Sequence, residues 1–187
     1  MGFGPGLACS INLNSVLTDE QKALYQDPDI IRKIIAETRT VAIVGLSTDP
    51  QKASYFTAAY LQYEGYTIIP VNPKASSILG ETCYPDVLSI PGPVDCVDIF
   101  RQSSECPAII EQVITIKAKS VWTQLRVVSL DAAAKAREAG ILTVMDKCLK
   151  MEHGRYGGGL HLAGMNTELI SARKALQGAR AGRGSAR

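Results

Sequence analysis

The feature that most restricts the fold of this chain is an alternation of five short apolar runs with stretches of helical spacing. The first run, Val41-Ala42-Ile43-Val44, ends in Gly45-Leu46-Ser47. A helix is then expected from near Ser54, with Phe56, Ala59, Tyr60 and Tyr63 as its apolar face and Gly65 as its stop. The second run, 66–71, closes on Asn72-Pro73 and leads into an irregular crossover, 74–91. The third run is 94–100. Pro107 marks a helix start behind it, and Ile109, Ile110, Val113, Ile114 and Ile116 supply that helix's buried stripe. The fourth run, 120–123, precedes an alanine-rich helix from Ser129 to Gly140, and 141–145 is the fifth. Strands apolar along their whole length need cover on both faces, and intervening helices supply it. The expected fold class is therefore α/β: a Rossmann-like, doubly wound parallel five-stranded sheet with helices on both faces.

The flanks read differently. Thr18 with Gln21 fits a capping box and Asp27-Pro28 a second helix start, so 1–38 is expected to be an N-terminal helical extension. The domain itself is expected over 39–150. From Lys150 the alternation lapses, Gly157, Gly158, Gly159 and Gly164 crowd a short span, and only 167–175 keeps helical spacing. Residues 151–187 are read as an appendage with a solvated, basic tail. Its last 15 residues hold five of the 20 basic residues and none of the 18 acidic ones, so elsewhere 15 basic residues face 18 acidic ones. A body of that charge argues against a nucleic-acid partner. The five cysteines, Cys9, Cys83, Cys96, Cys106 and Cys148, form no CxxC pair, and only His153 and His161 are at hand to complete a metal site. Reduced thiols, no metal and a cytoplasmic location are expected. No apolar run approaches the ~20 residues of a membrane-spanning helix, and the N-terminus lacks the basic and apolar regions of a secretory signal.

In an open parallel sheet, ligands bind beyond the carboxyl ends of the strands, where strand order reverses. The first such loop, GLSTDPQKASY, has one glycine where a dinucleotide fingerprint has three. Ser47, Ser54 and the following helix N-terminus nevertheless offer hydrogen bonds to phosphate, and Lys52 adds charge. After the second strand, Asn72-Pro73-Lys74 stands where an NAD site would carry an acid for the ribose diol. A lysine there suits a nucleotide with an extra ribose phosphate, as in coenzyme A or NADP. Phe100, Arg101 and Ser103 follow the third strand, and Trp122, Thr123 and Gln124 close the fourth. Lone residues of these types also have plain structural uses: Ser47 closing a turn, Ser54 capping, Pro73 ending a strand, Lys74 solvated, Trp122 in the core.

Together VAIVGLS, KASYFTAAYLQYEGYTIIPVNPK, ILGETCYPDVLSIP, VDCVDIFR, VWTQLRVV and VMDKCLKMEHGR, in this order and spacing, make the span from Thr40 to about Arg155 resemble the stand-alone CoA-binding-domain (YccU-like) proteins. Their fold is similar to the CoA-binding domain of the succinyl-CoA synthetase α subunit. The resemblance implies coenzyme A as ligand. It casts Gly45, Ser47, Lys52 and Ser54 as the first phosphate loop and Asn72, Pro73 and Lys74 as the wall beside the nucleotide. Phe100, Arg101, Ser103, Trp122 and Gln124 become the ligand-facing ends of strands three and four. Two positions depart from the family pattern: Thr123, where Leu or Met is usual, and Arg126, where Gly is usual.

The resemblance implies no catalytic residue. His153, in MEHGRY, is expected to support the fold through a neutral ring hydrogen bond, and Cys148, in MDKCLK, to be a structural thiol. The resulting expectation is a non-catalytic module that binds CoA or acyl-CoA, acting as a sensor or alongside a protein partner or a second copy. The stretch GGGLHLAGMNTELISARK resembles extensions that join this domain to other enzymes. The alternative is an enzyme using the same crevice for NADP-linked or acyl-CoA chemistry.

Overall fold

The computed structural model describes residues 16–157. Among these, strands β1 (Thr40–Val44), β2 (Thr67–Val71), β5 (Cys96–Ile99), β6 (Ser120–Thr123) and β7 (Leu142–Val144) form one sheet in the order β2-β1-β5-β6-β7. All four pairings are parallel. The chain winds outward from β1 to β2, then crosses to β5 on the other side, so β1 and β5 flank the point where strand order reverses. The α/β fold class expected from the alternation is the one observed.

Side-chain alternation divides the core in two. Ala42, Val44, Val97, Ile99 and Val121 face α4 (Cys106–Thr115) and α5 (Leu130–Glu138). On the other face, Val41, Ile43, Cys96, Trp122 and Val144 pack against α2 (Pro28–Glu37), α3 (Ala53–Tyr63) and α6 (Leu149–Tyr156). The N-terminal helices begin where their caps place them. Thr18 and Gln21 close a reciprocal capping box on α1 (Asp19–Tyr25), and the Asp27 carboxylate accepts from Asp29 N at the start of α2. Both helices join the domain's own packing. Ile31, Ile34 and Ile35 enter the core, and Tyr25 O accepts from Met145 N beside β7.

Three local expectations are corrected. Helix α3 buries Ser54, Thr57, Ala58 and Leu61, while Phe56 and Tyr63 are exposed. The crossover at 74–91 contains a small antiparallel ribbon, β3 (Ser77–Ile78) with β4 (Glu81–Thr82). Beyond it, Tyr84 N donates to Pro70 O and Tyr84 O accepts from Asn72 N, which covers part of the β2 edge. Pro70 is tolerated because β2 is an edge strand. The third correction is α6, which occupies residues where the pattern lapses. Its polar side chains are buried but paired: Arg155 Nη1 lies 2.9 Å from Glu152 Oε2, and Lys147 Nζ 3.5 Å from Glu152 Oε1. The expected helix at 167–175, the basic tail, Cys9 and His161 lie outside the described residues.

At the opposite end of the sheet from the crevice, Asp95 ties β1 to the strand beside it. Its carboxylate accepts from the amides of Arg39 and Thr40 and lies 2.7 Å from Lys119 Nζ. Desolvation alone would raise this carboxyl, but Lys119, the two amides and the Thr40 hydroxyl together bring it down to about 2.

Candidate functional site: a crevice at the strand-order switch

Beyond the carboxyl ends of β1, β2 and β5 lies a cavity of about 220 Å³. Val44, Gly45, Val71, Asn72 and Pro73 form its sheet side, and Pro85 and Asp86 close it from the crossover. Arg101, Glu105, Ala108, Ile109 and Gln112 complete it from the β5–α4 segment. Of the residues singled out in the sequence, Gly45, Asn72, Pro73 and Arg101 therefore line one cavity.

Gly45 is required on two counts. Its φ is +86°, and a β-carbon there would stand 2.9 Å from Phe100 O and 2.7 Å from Arg101 Cδ. The Arg101 methylenes thus lie directly across the end of β1. Asn72 clamps the first two loops, its Nδ2 donating to Leu46 O at 2.8 Å while its Oδ1 accepts from Lys74 N at 2.9 Å. Ser47 and Ser54 shape the turn from β1 into α3: Ser47 N donates to Ser54 Oγ, and Asp49 N to Ser47 Oγ. Lys52 is the α3 N-cap and is exposed, and it makes no side-chain capping bond, so the first-turn amides keep their positive end uncovered. Lys74 is exposed beside Pro73.

The remaining candidates do structural work. Ser103 Oγ accepts from Val128 N at 2.9 Å and holds the β6–α5 connection; Phe100 is half-buried against the core on the α3 face. Trp122 does not reach the crevice. The indole is fully buried on the α2–α6 face, with Nε1 donating to Lys147 O at 2.7 Å. Gln124 is buried too, its Nε2 donating to both oxygens of Asp98 at 2.9 Å. The α6 histidine behaves as expected: His153 Nδ1 lies 3.0 Å from Tyr60 OH with its ring edge-on to Tyr66, and burial pushes its pKa down. Cys148 is half-buried, and desolvation raises its thiol pKa. At Arg126 the backbone has φ +65°, held by Arg126 N donating to Asp146 Oδ1 at 2.7 Å. A left-handed conformation explains why glycine suits this position, and the arginine here projects outward, exposed.

Reading the sequence missed Pro85, Asp86, Glu105, Ala108, Ile109 and Gln112 as cavity walls. Ile109 and Gln112 stand three apart on α4, and Gln112 Oε1 accepts from Val87 N, which binds that helix to the crossover. The spacing was visible, but which face of α4 met the crossover was not.

Asp98 was also missed. It is fully buried in the central strand, and burial pushes its carboxyl up to about 7, opposed by the two bonds from Gln124. A carboxyl whose folded pKa is raised favours folding most below its unfolded pKa, and that stability is lost as pH rises through 7. Asp98→Asn is therefore expected to remove a loss of about 2 kcal/mol between pH 5.5 and 8.5. Urea midpoints of both proteins at the two pH values check this; parallel pH dependences would contradict it.

A five-stranded parallel sheet in the order β2-β1-β5-β6-β7, with a crevice at its switch point, defines a Rossmann-like α/β domain. The profile of the CoA binding domain family matches residues 39–154, and the chain belongs to that family. The Bacillus subtilis protein YneT is 34% identical over 123 residues, which cover 66% of this chain and 91% of YneT. A Pyrococcus horikoshii protein of known structure is 37% identical and superposes with a TM-score of 0.67, over 69% of this chain and 91% of that one. An ADP-forming acetate–CoA ligase of Archaeoglobus fulgidus is 35% identical over 74 residues, 40% of this chain but 11% of the ligase.

Proposed function

We propose that this chain binds coenzyme A or an acyl-CoA in the crevice beyond β1, β2 and β5, as a non-catalytic sensor or partner module. The observation that carries the reading is the cavity at the strand-order switch in a chain of the CoA binding domain family. Its apolar walls, Val44, Val71, Pro73 and Ile109, suit a nucleobase-sized group; Lys52 and the uncapped α3 N-terminus, on the loop that leaves Gly45 and outside the cavity walls, suit a pyrophosphate that extends past them. No carboxylate ends β2. Asp86, the acid on the crossover side of the cavity, has Oδ1 occupied by the amide and hydroxyl of Ser89, both at 2.8 Å. The missing acid at the end of β2 disfavours the ribose-diol contact of an NAD site and leaves Lys74 for a ribose phosphate.

His153 and Cys148, the residues of nucleophile or base type singled out in the sequence, are not among the cavity walls, whose ionisable side chains are Asp86 and the paired Arg101 and Glu105. The ligase relatives are several times longer than the stretch they share with this chain, which supports a module that works beside other catalytic parts. A cytoplasmic setting, where CoA is available, is part of the same proposal.

Lys74→Ala is expected to weaken CoA by about 5- to 30-fold while changing dephospho-CoA little, the size of one charge-assisted phosphate contact. Parallel titrations of both ligands check it. An equal loss for both would remove Lys74 from the ribose-phosphate site.

A further inference from the structure

One cavity wall is built in a way that CoA binding alone does not require. Arg101 and Glu105 form a two-point ion pair: Arg101 Nε donates to Glu105 Oε2 and Nη2 donates to Oε1 at 2.8 Å. Both side chains are partly exposed, at 49% and 37%, and both line the cavity. Glu105 is the residue before α4 and makes no side-chain capping bond to that helix, which leaves its carboxylate available to the cavity side. There it turns to the arginine. The two planar groups meet in the fork-to-fork geometry that guanidinium also offers a phosphate. Arg101 is steered from below as well, because its methylenes lie where a Gly45 side chain would stand. Asp86 and Glu105 give the lining two carboxylates against this one guanidinium.

We propose that Glu105 is a built-in competitor for phosphate: it occupies the phosphate-binding edge of Arg101, and an anionic ligand engages that arginine only by displacing it. The inference rests on the crevice being an anionic-ligand site. It assigns the ligand-selecting role to a residue outside the phosphate loop. A half-exposed ion pair is weak enough to exchange, so the latch sets a threshold rather than a block. Ligands without a phosphate have nothing to offer Arg101 and leave it closed. Arg101 and Glu105 are then a specificity pair, and removing the carboxylate should tighten phosphate-bearing ligands alone.

The test uses the full chain as wild type, Glu105→Gln, Arg101→Ala and the double variant. Each is titrated calorimetrically with CoA and with phosphate-free pantetheine. Glu105→Gln is expected to tighten CoA by about 3- to 10-fold, leave pantetheine unchanged, and lose most of its effect when Arg101 is alanine. Unchanged or weaker CoA binding by Glu105→Gln would overturn the latch. So would an equal gain in the Arg101→Ala background, which would reduce Glu105 to general repulsion. A second readout does not depend on CoA: the Arg101 Nε–Hε resonance during titration with inorganic pyrophosphate. It should shift at lower pyrophosphate in Glu105→Gln than in wild type. A wild type that binds no CoA yet shows this difference would sink the CoA reading and keep the latch; coincident titrations would sink the latch.

Discussion

Gly45→Ala is expected to cost about 2–4 kcal/mol of folding stability and to abolish measurable CoA binding. The backbone there is left-handed, and a β-carbon would stand 2.9 Å from the carbonyl oxygen of Phe100. The left-handed strain alone is worth about 1–2 kcal/mol in an L-residue, and the contact adds to it because a backbone carbonyl in the central strand pair has little room to yield. Arg101 would move as well, since its Cδ lies 2.7 Å from the same point. Gly65→Ala is the control: its φ is +93°, but nothing lies within 4 Å of an added β-carbon, so strain acts without collision. Urea unfolding of both variants separates the two contributions. Equal costs at the two positions would mean that the close approach beneath Arg101 carries no weight.

Trp122→Ala should destabilise by about 3–5 kcal/mol, and Trp122→Phe by about 1–3 kcal/mol with CoA affinity kept within about twofold. The indole is the largest fully buried side chain, and its Nε1 satisfies Lys147 O just before α6. Phenylalanine fills much of that volume but strands the carbonyl. Loss of CoA binding in a stable Trp122→Phe protein would return this residue to the ligand site, where the family resemblance places it.

The strands were legible because each is a compact run of β-favouring residues ended by glycine, asparagine-proline or polar turns, and α1 and α2 because their caps are written in Thr18, Gln21, Asp27 and Pro28. The face of α3 was not. Tyr55, Phe56, Ala58, Ala59, Tyr60 and Leu61 surround the helix with apolar groups, so periodicity selects no side, and the sheet chose the smaller residues that allow close packing. Phe56 instead lies under the Lys150 ammonium, 3.6 Å from ring centre to Nζ. Helix α6 was hidden by its charges. Glu152 pairs with Arg155 one turn on and with Lys147 just ahead of the helix, and His153 finds Tyr60 on α3, so burial of these polar groups leaves no trace in apolar spacing. In the site, the loop chemistry was readable wherever backbone geometry demanded it, as at Gly45 and Asn72. The walls from the crossover and α4 are products of tertiary packing; Trp122 turns inward because strand alternation points it to the other face, and Gln124, just past β6, is held inward by Asp98.

The proposed function requires above all that the crevice prefer CoA over nicotinamide dinucleotides. Calorimetric titration of the purified full chain with CoA, dephospho-CoA, NADP and NAD tests that directly. The expected order has CoA tightest, dephospho-CoA weaker by the lost 3′-phosphate contact, and NAD weaker than CoA by at least about tenfold. Equal affinity for CoA and NAD, or no binding of CoA, would contradict it.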